Sequence, residues 1–542
     1  MEKRDYSKLQ NGSDIRGVAT EGFPGEIPNL TSTEAIRIAK GFLLWLCEKT
    51  NKVPSDLKIS IGRDPRITGM ELKYGLLNGF GPYDVEVLDC GLASTPAMFM
   101  STLFPGFKCD GAIMITASHL PFNRNGFKFF DKECGLDKKD ISAILRNAES
   151  DERLAKLTPF LSNKPPETSR MTQYPGKPVP LMDAYCDHLI NLIRRGVNHS
   201  LTFDKPLTGM KIVVDAGNGS GGFYATKVLE PLGADISGSQ FLKPDGRFPN
   251  HAPNPEDKDA IASICDAVKK TGADLGIIFD TDVDRSAAVD NNGKEIARNG
   301  IVAMAASLVA ERFPGTTIVT DSITSTELTD FLENTLELKH LRFKRGYKNV
   351  INKAIELNAA GEDCQLAIET SGHAAMKENH FLDDGAYLAT KIVIKAAKLF
   401  AIGKTIDTVL EDLKEPAEAE EVRIPIRGES FAEIGDKVIT ELSQWAKNYP
   451  GMELVQPNYE GVRIAFDMEL PPQRSASQDA DENAATRLTG WCLLRKSLHD
   501  PLLPLNVESS AKGGCRKIYE FLYGFLSQYQ ELDIAPLKEK LT

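Results

Sequence analysis

Four absences bound what this chain can be. Its nine cysteines include no C-x-x-C pair, so the paired spacing of thiol redox and zinc motifs is missing. Their odd number in a chain of 542 residues favours free thiols in a reducing compartment. No stretch approaches the ~18 consecutive apolar residues of a membrane helix. The opening Met1-Glu2-Lys3-Arg4-Asp5-Tyr6 lacks the apolar core of a secretion signal. Positive charge is also short: 64 Lys and Arg stand against 76 Asp and Glu, a net charge of -12. Neither nucleic acid nor a membrane is therefore expected as a partner, and an anionic ligand needs a local basic site. A cytoplasmic enzyme is the expectation, with the plastid stroma the alternative if a transit segment was removed.

What is present is ordinary globular material, 42% hydrophobic and 26% charged. The length predicts three or four domains at ~100–200 residues each. One event recurs along the chain: a short β-branched strand running into a polar end. It appears at Leu57–Asp64, at Lys211–Gly219 and at Thr317–Ser322. Each copy precedes a helical stretch and then a second apolar strand: Gly111–Ile115, Leu275–Phe279 and Leu366–Ile368. The first segment also carries a helical pattern near Thr33–Lys49, with Ser32 or Thr33 as the expected cap. Strands alternating with helices predict three related α/β units with mixed, largely parallel sheets. Ligands of such sheets bind at the carboxyl ends of the strands.

The last part differs. After the acidic, Ala/Glu-rich stretch 411–421 come strands at 461–466 and 490–495, separated by a polar loop at Pro471–Asn483. This predicts a C-terminal α+β domain. The expected boundaries are 1–195, 196–313, 314–420 and 421–542.

The polar strand ends carry the chemistry. Gly111–Ile115 runs into Thr116-Ala117-Ser118-His119, and Lys128 follows in Asn125-Gly126-Phe127-Lys128. A hydroxyl, an imidazole and an ammonium so close together supply a nucleophile, a proton carrier and a phosphate clamp. The plainer reading is an inert polar loop. Leu275–Phe279 runs into Asp280-Thr281-Asp282-Val283-Asp284-Arg285. β-branched spacers predict an extended backbone there, with alternate side chains pointing the same way. Three converging carboxylates need a cation, and oxygen ligands select a hard one such as Mg²⁺. Arg285 would face a phosphate. Leu366–Ile368 runs into Glu369-Thr370-Ser371-Gly372-His373, an acceptor and a hydroxyl suited to sugar hydroxyls, or an ordinary turn. In Arg495-Lys496-Ser497-Leu498-His499, the Arg, Ser and His together grip phosphate oxygens, or form a basic surface turn. Arg345-Gly346-Tyr347-Lys348 is a weaker basic turn of the same kind.

These pieces, in this order, resemble the α-D-phosphohexomutase family, which includes phosphoglucomutases and phosphomannomutases. Thr116–His119 with Asn125-Gly126-x-Lys128 looks like its phosphoserine loop. Asp280-x-Asp282-x-Asp284-Arg285 looks like its metal loop, Glu369-x-Ser371-Gly372-His373 its sugar loop, and Arg495-x-Ser497 its phosphate loop. Ser13-Asp14-Ile15-Arg16-Gly17 and Gly62-Arg63-Asp64-x-Arg66 are similar to motifs of its first domain.

The resemblance implies four domains around a central cleft and a Mg²⁺-dependent mutase interconverting hexose 1- and 6-phosphates, of glucose or mannose. A hexose 1,6-bisphosphate would serve as intermediate and activator. It implies Ser118 as the phosphorylated residue, with the metal held by Asp280, Asp282, Asp284 and the Ser118 phosphate. His119 and Lys128 would assist proton transfer, and Arg16 would stand near the phosphoryl group. Arg285, Lys348, Glu369, Ser371, His373, Arg495, Ser497 and His499 would bind substrate. Sugar phosphates are then the expected partners of a monomer or homodimer. The chain departs from the family at Leu120 (usually Asn), at Thr281 and Val283 (usually Gly), and at Lys496, Leu498 and His499 (usually Pro, Gly and Thr). The last group bears on phosphate binding more than on chemistry at Ser118. Two rival readings are a hexose 1,6-bisphosphate synthase and a non-catalytic sugar-phosphate-binding or regulatory protein.

Overall fold

In the computed structural model, the described residues are 5–162, 174–428, 430–469, 487–497 and 500–541. The expected loop Pro471–Asn483 lies outside them. The chain forms two compact units, one of residues 1–313 and 358–411, the other of 314–357 and 412–542.

The first unit begins with a seven-stranded sheet. Its order is Gln10–Asn11, Asp14–Val18, Arg124–Phe130, Gly111–Ile115, Lys58–Arg63, Glu86–Leu92 and Lys177–Pro178. Gly111–Ile115, Lys58–Arg63 and Glu86–Leu92 run parallel, while Arg124–Phe130 returns antiparallel against Gly111–Ile115. That return pairs Lys128 with Met114, placing the lysine one strand from the Thr116–His119 turn. The helix Ser32–Thr50 packs on this sheet because Ala35, Ile38, Ala39, Phe42, Leu43 and Leu46 recur on one face. Its cap is Thr31, not the expected Ser32 or Thr33. The Thr31 hydroxyl accepts from the Thr33 N–H, and Glu34 reaches back to the Thr31 N–H at 2.9 Å. Full burial of Phe42 against Phe129 is worth about 1.5–3 kcal/mol.

The second sheet of this unit has the order Glu295–Ile296, Ser286–Val289, Leu275–Phe279 and Ile212–Asp215. Ile212–Asp215 and Leu275–Phe279 are parallel, and Ser286–Val289 is antiparallel to the latter. Cys364–Ile368 then pairs antiparallel with Ala374–Met376, closing the Glu369–His373 turn. Strand carboxyl ends thus carry the three polar loops, as the alternation of elements predicts.

In the second unit, Thr317–Thr320 and Lys339–Arg342 form a parallel pair. A five-stranded, fully antiparallel sheet follows in the order Glu418–Pro425, Leu502–Ser509, Arg487–Leu494, Val462–Glu469 and Met452–Leu454. Its apolar face is covered by Phe431–Lys447 and Gly514–Leu526. The buried Arg463 lies 3.5 Å from the Trp491 ring centroid and donates to the carbonyls of Ser322 (2.9 Å) and Thr324 (3.0 Å). Desolvating a guanidinium is costly, and here carbonyls and an aromatic face replace water.

Among the described residues no helix is long and apolar enough to cross a membrane.

A buried ion pair holds the turn after Ile212–Asp215. His251 Nε2 stands 3.0 Å from Asp215 Oδ2 while its Nδ1 lies 2.8 Å from the Ala252 carbonyl, so both ring nitrogens face acceptors. Burial alone would lower the His251 pKa, but the Asp215 carboxylate outweighs it and the net shift is upward. The stability this pair contributes is therefore fully present below the unfolded pKa of about 6.5 and lost as pH rises through the higher folded value. The thermal-stability advantage of the natural chain over His251→Gln is expected to shrink as pH rises above about 6.5. Melting curves across that range check it, and a constant difference would refute it.

Candidate active site

Three polar strand ends of the first unit meet around Asp280–Arg285. The aspartates occupy a turn, not the extended segment expected from Thr281 and Val283. Val283 adopts φ +68°, a left-handed conformation that a β-branched residue rarely accepts. The turn still converges the carboxylates: one oxygen each of Asp280, Asp282 and Asp284 lie within 4.8 Å of one another. All three residues are fully buried.

Three buried carboxylates repel, and the surroundings answer unequally. Lys128 ion-pairs with Asp284 and lies 3.6 Å from Asp282. Arg285 Nη2 and Nε both approach Asp280 Oδ2 at 3.3 Å. Burial raises the Asp284 pKa, but Lys128 and Arg285 outweigh it and hold this carboxyl below its usual range. Burial, with repulsion from Asp284 and Asp282, pushes Asp280 well above its usual range. Two cations offset three carboxylates only in part. Asp282 Oδ1 and Asp284 Oδ1 are buried with no hydrogen-bond donor among the described residues. Orphaned buried carboxylate oxygens of this kind are what an oxygen-ligated divalent cation satisfies, so the residues fit a metal.

Ser118 faces this cluster. Its Oγ donates to Asp280 Oδ2 at 3.0 Å, and Arg285 Nη2 stands 3.3 Å away. Ser118 holds φ +47°, and its N–H donates to Thr116 Oγ1 at 2.9 Å. The exposed His119 ring stands beside it: Nδ1 is 2.9 Å from Arg285 Nη2 and 3.4 Å from Ser118 Oγ. A guanidinium only donates, so this nitrogen accepts and carries no proton. Arg16 ion-pairs with Asp14 at 2.8 Å and donates to the Thr116 carbonyl at the base of the same loop.

The Glu369–His373 turn closes on the Asp280–Arg285 turn through a backbone bridge between Arg285 and His373. Ser371 Oγ lies 2.8 Å from His373 Nδ1, and Glu369 Oε2 is 3.6 Å from that nitrogen. His373 Nε2 lies 3.8 Å from Asp284 and 3.6 Å from Asp383. Burial, then Arg285 and Lys128, holds this imidazole well below its usual range.

Arg495, Ser497 and Lys348 belong to the second unit. Arg495 is buried, and its Nε has no hydrogen-bond partner among the described residues. Ser497 Oγ accepts from the Asp500 N–H at 3.2 Å, in the turn between Arg487–Leu494 and Leu502–Ser509. Lys348 stands in the first turn of Tyr347–Ala359, beside Arg345, whose N–H donates to Glu460 at 3.1 Å. Leu498 and His499 lie outside the described residues.

Several residues escaped sequence reasoning. Thr95 opens the helix Thr95–Leu103, where a first-turn N–H has no helical partner. That N–H donates to the Asp282 carbonyl at 2.8 Å, and the Thr95 hydroxyl donates to the Asp282 carboxylate. Asn254 accepts from Arg285 Nη1 at 3.0 Å. Asp383 is buried with both carboxylate oxygens lacking a hydrogen-bond donor among the described residues, beside His373. None sits in a recognisable local pattern. Ser94-Thr95 reads only as a helix cap, and nothing local marks its distant partner.

Gly385 permits the docking of Gly385–Phe400. Its N–H donates to the Val283 carbonyl at 3.1 Å, and a Cβ there would lie 2.5 Å from the Arg285 carbonyl carbon. Gly385→Ala is expected to cost about 1–3 kcal/mol of stability, measured by denaturant titration. Thr95→Val, nearly isosteric, removes one outer support of Asp282 and should weaken divalent-cation binding by about 10–100-fold in calorimetry. Unchanged affinity would mean that the hydroxyl does not orient the carboxylate.

With this geometry in view, the chain compares with known proteins as follows. Residues 7–155, 183–293 and 297–416 match the families described as phosphoglucomutase/phosphomannomutase, alpha/beta/alpha domains I, II and III respectively. A phosphomannomutase of Escherichia coli is 30% identical over 409 residues, covering 74% of this chain and 79% of that protein. A phosphoglucomutase of Neisseria gonorrhoeae is 26% identical over 93% of this chain and 94% of that protein. The crystal structure of a phosphoglucomutase/phosphomannomutase family protein from Burkholderia thailandensis superposes with a TM-score of 0.72 at 24% identity, covering 97% of this chain and 98% of that one. With all three domain families in chain order on one acidic, serine-facing site, the chain belongs to the phosphoglucomutase/phosphomannomutase family, enzymes of the phosphohexomutase class.

Proposed function

We propose that this chain is a Mg²⁺-dependent phosphohexomutase that interconverts hexose 1-phosphate and hexose 6-phosphate through phospho-Ser118 and a hexose 1,6-bisphosphate. The observation that carries this reading is Ser118 Oγ, 3.0 Å from Asp280 and within reach of Arg285, beside carboxylate oxygens that lack donors. A binding protein has no need to aim a hydroxyl at three buried carboxylates. The names of the relatives, one phosphomannomutase and one phosphoglucomutase, support the substrate class and leave glucose and mannose phosphates as joint candidates.

Asp280, Asp282 and Asp284 would hold the cation, with the phosphate of Ser118 as a further ligand. When bound, it supplies positive charge against the phosphoryl oxygens in transfer. The chain's own residues do the rest. Ser118 Oγ carries the phosphoryl group and passes it to the free hydroxyl of the sugar monophosphate; the O–P bond at Ser118 breaks as the new one forms. The bisphosphate then returns its other phosphoryl group to Ser118. Arg285 offsets charge on the moving group, and Arg16 stands by the same loop. Lys128, which reaches the cluster from the neighbouring strand, is assigned to proton transfer. His119 offers an unprotonated Nδ1 for the same traffic. Glu369, Ser371 and His373 are assigned to the sugar hydroxyls. Arg495, Ser497, His499 and Lys348 are assigned to the phosphate that the sugar carries.

The test is to incubate the protein with Mg²⁺ and glucose 1-phosphate, with and without glucose 1,6-bisphosphate, and to follow all sugar phosphates. Glucose 6-phosphate is expected, with mannose 1-phosphate assayed in parallel. Accumulation of bisphosphate alone, given a phosphoryl donor, would instead indicate a synthase. Ser118→Ala should abolish turnover with the fold intact by circular dichroism. Asp282→Asn should raise the Mg²⁺ concentration needed for activity and lower the maximal rate. Full activity in Ser118→Ala, or an unchanged Mg²⁺ requirement in Asp282→Asn, would overturn the respective assignment.

A further inference from the structure

Behind Ser118 stands a buried arginine to which the proposed mechanism gives no task. Arg66 is 1% exposed. Its Nη1 donates to the carbonyls of Pro121 (2.7 Å) and Arg124 (3.0 Å), and its Nη2 to those of Leu120 (2.6 Å) and Ser118. Its Nε lies 3.2 Å from Asp64 Oδ2, and its own N–H donates to Asp64 Oδ1 at 3.0 Å. Four carbonyls of the loop 118–124 thus converge on one planar group. A guanidinium has the five rigidly arrayed donors that such a set requires.

The loop needs this hold. Ser118 keeps φ +47°, a conformation costly for a residue with a side chain and stable only where the surroundings over-determine it. Thr116 Oγ1 restrains the Ser118 N–H, and Arg66 restrains its carbonyl, so both sides of the strained residue are held. The arginine is itself covered. Its guanidinium carbon lies 5.2 Å from the Phe248 ring centroid. The turn carrying Phe248 presses on Arg66 because residue 246 has no side chain: a Cβ on Gly246 would lie 2.3 Å from the Pro65 carbonyl oxygen and 2.6 Å from the Arg66 Cα.

We infer that Arg66 is a positioning residue for phosphoryl transfer, holding the 118–124 loop so that the strained Ser118 keeps its Oγ aimed at Asp280. This rests on the reading that Ser118 carries the phosphoryl group. It predicts a defect in the transfer step and not in sugar-phosphate binding, because Arg66 is buried against carbonyls.

The test uses the full chain. Arg66→Lys keeps the charge opposite Asp64 but places its three donors on one atom, too compact to span four carbonyls. With glucose 1-phosphate, kcat is expected to fall about 10²-fold, as for small misplacements of reacting groups, while KM stays within about twofold. Uptake of phosphate by Ser118 from glucose 1,6-bisphosphate, followed by intact mass, should slow by the same factor. Amide hydrogen exchange should quicken across 117–124 and stay unchanged in Lys58–Arg63. A general loss of stability would speed exchange in both places. Unchanged kcat with unchanged exchange at 117–124 would overturn the inference. If Arg66→Lys fails to fold, Phe248→Leu decides: it removes the ring over the guanidinium and leaves every donor in place. Lower kcat at constant KM, with faster exchange at 117–124, supports the role; no change in either refutes it. Ser118→Ala, assayed alongside, separates the two readings. Activity without the serine hydroxyl ends the phosphoserine reading, whereas the exchange comparison needs no activity and still reports whether Arg66 holds the loop.

Discussion

Repulsion among three buried carboxylates is the constraint on which the first unit's site depends. Asp280, Asp282 and Asp284 stand within 4.8 Å of one another, out of water. Such a group cannot remain ionised without nearby positive charge. The fold brings Lys128 to Asp284 and Asp282 from a strand of the first sheet, and Arg285 to Asp280 from the end of the turn itself. The offset is incomplete, and the donor-less oxygens of Asp282 and Asp284 mark what is left over. A phosphoryl group adds about -1.5 to -2 charge at neutral pH. In the phosphoserine reading proposed for Ser118, the balance between carboxylates, ammonium and guanidinium changes whenever phosphate arrives or leaves, and a divalent cation would accommodate both conditions.

The geometry around that cluster is held by strain that neighbouring elements support. Ser118 and Val283 both occupy left-handed backbone, at φ +47° and +68°. Neither residue favours it alone. Ser118 is restrained through its N–H and its carbonyl, and Val283 through its carbonyl, which accepts from the Gly385 N–H. Thr95, at a helix start, fixes Asp282 by backbone and side chain together. The groups proposed to react sit on loops, but each loop is pinned by regular structure, so close-packed elements transmit their rigidity to it.

The second unit manages buried cations differently. Arg463 is surrounded by an aromatic face and carbonyls, which satisfy a guanidinium with no carboxylate in ion-pair contact among the described residues. Arg495 is buried with an Nε that no described group accepts from. The first arrangement is complete and structural. The second leaves a donor for an anion, which accords with the phosphate-binding task proposed for it.

Sequence by itself determined the elements and the chemical inventory. Apolar runs such as Gly111–Ile115 and Leu275–Phe279 are buried strands because β-branched and apolar residues have nowhere else to go, and both lie at the expected positions. The three polar ends, and the C-terminal strands at 461–466 and 490–495, were legible for the same reason. Local pattern also misled. Thr281 and Val283 read as extended, whereas contacts with Thr95, Gly385 and Arg285 bend the segment into a turn that their propensities alone would not form. Tertiary structure decided which groups meet. Arg66 lies 52 residues from Ser118 in sequence, and Thr95 lies 187 from Asp282, yet both pairs are hydrogen-bonded. Such contacts leave no local trace, because a carbonyl or a hydroxyl is the same group whatever distant partner the fold brings to it, and only packing of whole elements selects that partner.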